Sequence, residues 1–317
     1  MEKIFEYARK NNISDIHIIE GERIYFRKDG EIVAYEDNQS LSREDILKIC
    51  SGKFEEDFAY TDSKNQRYRI NSFFTKGKLA LVIRVINDEA IKLKGEFINK
   101  VIDEKILSLK DGLVLISGIT GSGKSTTLAN IIEKFNDNKS IKILTIEDPI
   151  EYIFENKKAL IIQRELGTDV ESFEKALKSS LRQDPDVIVL GEIRDEESLF
   201  SALKLAETGH LVFSTLHTMN AVESINRLIS MAKSDKRDFI REQLASVLRF
   251  VFSQELYRDK KTKKVKVIFE ILNNTKAVAN LIANNKLNQI PSLIESGIEN
   301  YMITKEKYFK KIEIESD

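Results

Sequence analysis

Apolar and polar positions along the chain follow two different rhythms. In the first part the alternation has a period of two. RIYFRKDGEIVAYE alternates on either side of Asp29-Gly30, and RYRINSFFTKGKLALVIRVI on either side of Gly77. Alternation around a glycine-bearing turn predicts two β-hairpins. Between them, Ser42 and Asp45 have the spacing of a capping box opening a helix over DILKIC. Residues 1–86 are therefore expected to form a small α+β unit. The stretch NDEAIKLKGEF loses periodicity, so residues 87–99 read as a linker. From about residue 100, unbroken apolar runs alternate with helical segments: GLVLISG, IKILTIED, DVIVLGE and HLVFSTLH. Within STTLANIIEKF, Leu128, Ile131, Ile132 and Phe135 share one helical face. Fully apolar strands separated by helices predict a mostly parallel sheet covered on both sides. Residues 100–317 are thus expected to be an α/β domain, mostly helical after 220 apart from a strand pair near KVKVIFEIL.

Composition narrows the class. The 317 residues are 42% hydrophobic and 32% charged, with a net charge of -1. That balance fits a globular protein and argues against a broad nucleic-acid footprint. The segment MEKIFEYARKNN is charged throughout, without an apolar signal core. No apolar run approaches the length of a bilayer span. One cysteine, Cys50, excludes a disulfide framework or a cysteine zinc cluster within one chain. The expected location is cytoplasmic.

The chemistry starts at GITGSGKS, which fits G-x-x-x-x-G-K-[ST] between an apolar strand and an amphipathic helix. In such a loop the glycines let backbone N–H groups turn toward phosphates, and the helix N-terminus adds positive potential. Gly118, Thr120, Gly121, Ser122, Gly123, Lys124, Ser125 and Thr126 are the expected nucleotide-binding residues. Lys124 would reach the β- and γ-phosphates, and Ser125 would offer its hydroxyl to Mg²⁺. The following strands end in Glu147 and Asp148, in Glu192, and in His217. Ligands of open parallel sheets sit beyond the C-terminal strand ends. Glu147, Glu192 and His217 should therefore gather on the side of the P-loop. Two glutamates can divide the tasks of activating water and serving the metal; spacing alone does not assign them.

These segments, GITGSGKSTTLAN, TIEDPIEY, LRQDPDVIVLGEIRD and AETGHLVFSTLHT, resemble the secretion and type IV pilus ATPase superfamily. They correspond to its Walker A, Asp-box, Walker B-like and His-box motifs, in family order. SDIHII resembles the entry motif of the family's PAS-like N-terminal domain, and KAVANLIANNKLNQIPSLIESG resembles the C-terminal helices of the PilT-like retraction branch. The resemblance implies a RecA-like P-loop domain preceded by the smaller PAS-like domain. It implies Glu147 as general base and Glu192 at the Mg²⁺ shell, with Arg69 and Arg84 brought to the γ-phosphate from the first domain. It further implies His217 as a nucleotide sensor. Asp148, Arg194 and His210 are expected in support, His210 at a subunit or domain interface, while His17 braces the N-terminal domain. His210 and His217 are seven residues apart, an odd offset that points them to opposite faces of a regular strand. Two positions depart from the family pattern: Ile119 stands where proline is common, and Ala279 where the retraction branch usually has arginine.

The expected protein is a homohexameric motor ATPase using ATP and Mg²⁺, with no membrane segment of its own. It would reach the inner face of the bacterial cell membrane through a pilus platform protein and drive pilus retraction. Assembly of a type IV pilus or competence pseudopilus is the alternative. A nucleotide-gated scaffold is disfavoured by the intact acids, and a nucleic-acid translocase by the balanced charge.

Overall fold

The computed structural model describes residues 1–317 except 12, 29, 38, 51, 65, 87–91, 259–264 and 315–317. The chain divides into two compact units, residues 1–90 with 149–153, and residues 91–148 with 154–317.

The first unit is a six-stranded antiparallel sheet. Its strands are β1 (Asp15–Ile19), β2 (Tyr25–Lys28), β3 (Glu31–Ala34), β4 (Asp57–Thr61), β5 (Arg67–Thr75) and β6 (Lys78–Val85), in the order β3-β2-β1-β6-β5-β4. Alternate residues of the strands, among them Ile16, Ile18, Tyr68, Ile70, Leu81 and Ile83, form one apolar face. The helices Glu2–Lys10 and Arg43–Cys50 cover it with Ile4, Phe5, Ile46 and Ile49. The β5–β6 hairpin turns at Lys76 (φ 51) and Gly77 (φ 75). Two consecutive left-handed residues give the turn that matches the twist of the flanking strands. The β2–β3 pair forms as well, with Gly30 in its turn; Asp29 of that expectation lies outside the described residues. Ser42 and Asp45 cap reciprocally: Asp45 N–H donates to Ser42 Oγ at 3.3 Å, and Ser42 N–H to Asp45 Oδ2 at 3.2 Å. This is the PAS-like α+β unit.

The second unit is the RecA-like α/β domain. It contains β7 (Gly112–Ser117), β8 (Lys142–Glu147), β9 (Leu160–Glu165), β10 (Val187–Leu190), β11 (Leu211–Leu216), β12 (Leu248–Arg258) and β13 (Val265–Asn273). The order is β13-β12-β7-β11-β10-β8-β9, and only the β12–β13 pair is antiparallel. Every residue of β7, β10 and β11 is buried, which explains their unbroken apolar runs. Helices Glu196–Glu207, Ala221–Met231 and Arg237–Val247 pack on one face; Glu96–Glu104, Lys124–Asn138 and Lys305–Ile314 cover the other.

In the first unit β1, β4 and the helix Glu2–Lys10 add to the two hairpins and one helix of the sequence reading, and two elements of the second unit differ from it. β9 is absent from that reading: it is the sheet's edge strand, with Gln163 and Arg164 only partly buried, although Glu165 at its end is buried. The helix Glu96–Glu104 begins inside the stretch read as a linker, since Ile98, Val101 and Ile102 at helical spacing bury completely against the domain. Residues 87–91 of that stretch lie outside the described residues. Among the described residues, no helix is long and apolar enough to cross a membrane.

Candidate functional site

The glycine-rich loop joins β7 to the helix Lys124–Asn138. At Gly118 a side chain is excluded by crowding: a Cβ there would lie 2.4 Å from Ser122 Oγ and 2.5 Å from the Gln254 carbonyl oxygen. Gly123 caps the helix at φ 84, in the left-handed region that favours glycine. The chain can thus fold back on itself before the helix starts, leaving the first helical N–H groups directed into the loop. Lys124 is only 9% exposed. Its ammonium donates to the carbonyls of Gly118 at 2.7 Å and Ile119 at 3.1 Å, which places the charge over the loop. Ser122 is buried with an unpartnered hydroxyl, while Ser125 and Thr126 occupy the first helical turn.

Parallel register aligns the other strand ends with this loop. Gly118 N–H donates to Leu216 O, so His217 begins alongside Gly118. Gly191 N–H donates to Ile146 O, which sets Glu192 next to the end of β8 at Glu147. Side chains then connect across the edge. Thr120 Oγ1 lies 3.4 Å from His217 Nδ1, and His217 Nε2 lies 3.2 Å from Glu192 Oε2. Arg194 Nε donates to Glu192 Oε1, and its NH1 lies 3.6 Å from Asp148 Oδ2. Thr120, His217, Glu192, Arg194 and Asp148 therefore form one polar chain from the P-loop across the C-terminal edge. Arg194 links the two acidic strand ends.

Glu147 is half-buried beside this chain. Its Oε1 accepts the Thr145 hydroxyl at 2.6 Å and the Gln163 amide at 3.2 Å. A carboxylate oriented by donors at a strand end can act on a water if its other interactions leave it access.

His210 is elsewhere. It precedes β11 and His217 follows it, so the two histidines stand at opposite ends of the strand. His210 Nδ1 lies 3.1 Å from Thr208 Oγ1 and 3.2 Å from the Leu205 carbonyl, which braces the end of the helix Glu196–Glu207. His17 lies within β1, where burial lowers its pKa and Nε2 is unpartnered.

Arg69 and Arg84 are Cα partners across β5 and β6, so they leave the same face of the first unit. Arg69 binds Asp57 through two nitrogens, with Nε 2.9 Å from Oδ2. Arg84 Nε donates to Asp15 Oδ1 at 3.0 Å, with the arginine side chain 66% exposed.

Two residues of the second unit's site were missed from the sequence. Gln254, 1% exposed on β12, donates its amide to the Ser122 carbonyl at 2.6 Å and holds the P-loop from the neighbouring strand. Gln163 on β9 holds Glu147. The available signals were a glutamine inside the apolar run FVFSQ and the polar-x-acid endings TIE and QRE.

Among the described residues, no group of three or more His, Cys, Asp or Glu could form a metal cage. Ser125 and Glu192 offer hard oxygen atoms, and Mg²⁺ at nucleotide sites keeps most of its shell as water and phosphate. The donor set fits that mode.

A family model described as type II/IV secretion system protein matches residues 1–299. The chain is 39% identical over 312 residues to the uncharacterized protein YggR of Escherichia coli, covering 96% of this chain and 95% of that one. It is 35% identical over 310 residues to the type IV pilus retractation ATPase PilT of Pseudomonas aeruginosa, covering 93% and 88%. A crystal structure of the pilus retraction motor PilT with bound ADP aligns at a TM-score of 0.83 and 35% identity, covering 98% of this chain and 96% of that one.

Proposed function

The chain belongs to the type II/IV secretion system protein family, and we propose that it is a motor ATPase whose ATP hydrolysis drives type IV pilus retraction. The observation that carries this reading is the near-full-length likeness, in sequence and fold, to a retraction motor that binds ADP. The P-loop and the three strand ends beside it support the same activity from this chain's own geometry.

In this reading the loop N–H groups and Lys124 hold the β- and γ-phosphates. Glu147 takes a proton from the attacking water. Glu192 and the Ser125 hydroxyl serve Mg²⁺, which when bound with the nucleotide neutralises phosphate charge. His217 reports the nucleotide's state from Thr120 to Glu192. Arg69 and Arg84 exchange their carboxylate partners for the γ-phosphate, a role that suits guanidinium because it is permanently charged and forked. The chain works as a homohexamer on the inner face of the bacterial membrane, acting on a platform protein of the pilus.

Deletion of the gene in its host tests the direction of work. Excess surface pili with loss of twitching is the expected result. Absence of pili would assign assembly instead. Phosphate release by the purified protein separates a motor from a nucleotide-gated scaffold, and stimulation of that release by DNA would point to a translocase.

A further inference from the structure

β8 and β9 run side by side and end together. Thr145 is the Cα partner of Gln163, and Glu147 of Glu165. Residues two apart leave the same face of a strand, so these four side chains form one polar patch at the sheet's edge. The Phe154 N–H donates to Gln163 Oε1 at 2.9 Å. That bond settles the orientation of the amide, because a flipped side chain would set its NH₂ against the Phe154 N–H and its oxygen against a carboxylate. The NH₂ is left to Glu147, where Nε2 donates to Oε1 at 3.2 Å.

A strand-end glutamate has several rotatable bonds, and a general base works only when its carboxylate meets the water at hydrogen-bond distance. Thr145 also donates to Glu147 Oε1, but it lies two residues away on the same strand and moves with it. Gln163 reaches across from another strand and is itself anchored to backbone. Of these two donors it is the one that ties the carboxylate to a second strand. Its anchor, Phe154, lies midway along the connection from β8 to β9, so one amide ties that connection to the Glu147 carboxylate.

We propose that Gln163 is a positioning residue for ATP hydrolysis, holding the Glu147 carboxylate toward the attacking water. This rests on the reading of Glu147 as the base. The role adds a group from a strand that carries none of the family's four motifs.

The test is a double-mutant cycle on the full-length protein with Gln163→Leu, Glu147→Gln and the pair. Phosphate release is read in single turnovers with enzyme in excess, alongside ADP affinity and thermal stability. Gln163→Leu should slow hydrolysis roughly 10–100-fold, from the loss of a hydrogen bond to a charged group and the resulting misplacement. ADP affinity should stay within about twofold. In the Glu147→Gln background the same change should cost nothing further, because the group it positions no longer acts as a base. An equal loss in both backgrounds would show a merely structural role and overturn the proposal, as would wild-type hydrolysis by Gln163→Leu. Near-wild-type hydrolysis by Glu147→Gln alone would remove the base reading, and the positioning role with it. If Gln163→Leu fails to fold, Gln163→Glu keeps an acceptor for Phe154 N–H while turning a like charge toward Glu147. Slower hydrolysis at unchanged ADP affinity supports the proposal there, and unchanged hydrolysis rejects it.

Discussion

His217 Nε2 stands 3.2 Å from Glu192 Oε2, across the C-terminal ends of two adjacent parallel strands. The other ring nitrogen faces Thr120 of the P-loop at 3.4 Å. One imidazole therefore spans the distance between the phosphate loop and an acidic strand end. Replacing it with alanine should lower steady-state ATP turnover about tenfold, the value of a hydrogen bond to a charged group, with ADP affinity changed only a fewfold. Unchanged turnover would make the contact incidental.

Lys124 donates to the loop carbonyls of Gly118 and Ile119, and in the proposed function it meets the β- and γ-phosphates. Lys124→Ala should weaken binding of a fluorescent ATP analogue by at least roughly tenfold, since charge-assisted bonds are worth ~1.5–3 kcal/mol each. Wild-type affinity in this variant would dismiss the phosphate-loop assignment.

Glu147→Gln and Glu192→Gln keep the shape of each side chain and remove its charge. Both should bind ATP and lose most hydrolysis, by ~10²–10⁴-fold where the base is lost. Titrating Mg²⁺ separates the roles: Glu192→Gln should need more Mg²⁺ for half-maximal turnover, and Glu147→Gln should not. The opposite pattern would exchange the two assignments.

Arg69 and Arg84 hold Asp57 and Asp15 within the first unit. The Arg69–Asp57 pair is exposed on both sides and worth at most ~1 kcal/mol of stability, whereas Arg84 pairs with the buried Asp15. If the arginines also act on the γ-phosphate, Arg69→Ala and Arg84→Ala should bind ADP normally and hydrolyse ATP poorly, by up to ~10³–10⁵-fold for a finger-like role. ATPase rate, ADP affinity and ring assembly, measured on both variants, decide between the two. Normal turnover in intact rings would leave both arginines as stability elements.

Glu270 on β13 accepts the Ala221 N–H at 2.8 Å, where the helix begins after the loop containing His217. Burial pushes its carboxyl pKa above the ordinary range, against the opposing pull of that N–H. The unfolded chain releases the proton near ~4.3 and the folded chain only at higher pH. Stability is therefore lost as pH rises between those values, and the penalty is complete above the folded pKa. Glu270→Gln keeps an acceptor without the charge. Its melting temperature should equal or exceed that of wild type at pH 8, and wild type should gain on it as pH falls toward 4. Parallel melting curves across that range would exclude a buried carboxylate as the cause.

Contiguous residues show in the sequence what they build locally. The P-loop was legible because Gly118 to Ser125 and its flanking strand and helix are one short segment, whose glycine requirements arise largely within it. The apolar runs of β7, β10 and β11 showed a covered parallel sheet, and that topology brings their ends to one edge. Tertiary structure decided the rest. Gln254 grips Ser122 across 132 residues and Gln163 meets Glu147 across 16. A single glutamine in a strand carries no sign of its partner. Arg69 and Arg84 face each other only because the β5–β6 register pairs them. His210 and His217 are kept apart by the length of β11, since both lie just beyond its ends. A motif fixes residue types and local backbone; the strand order and register, set by burial of the whole sheet, select which side chains meet.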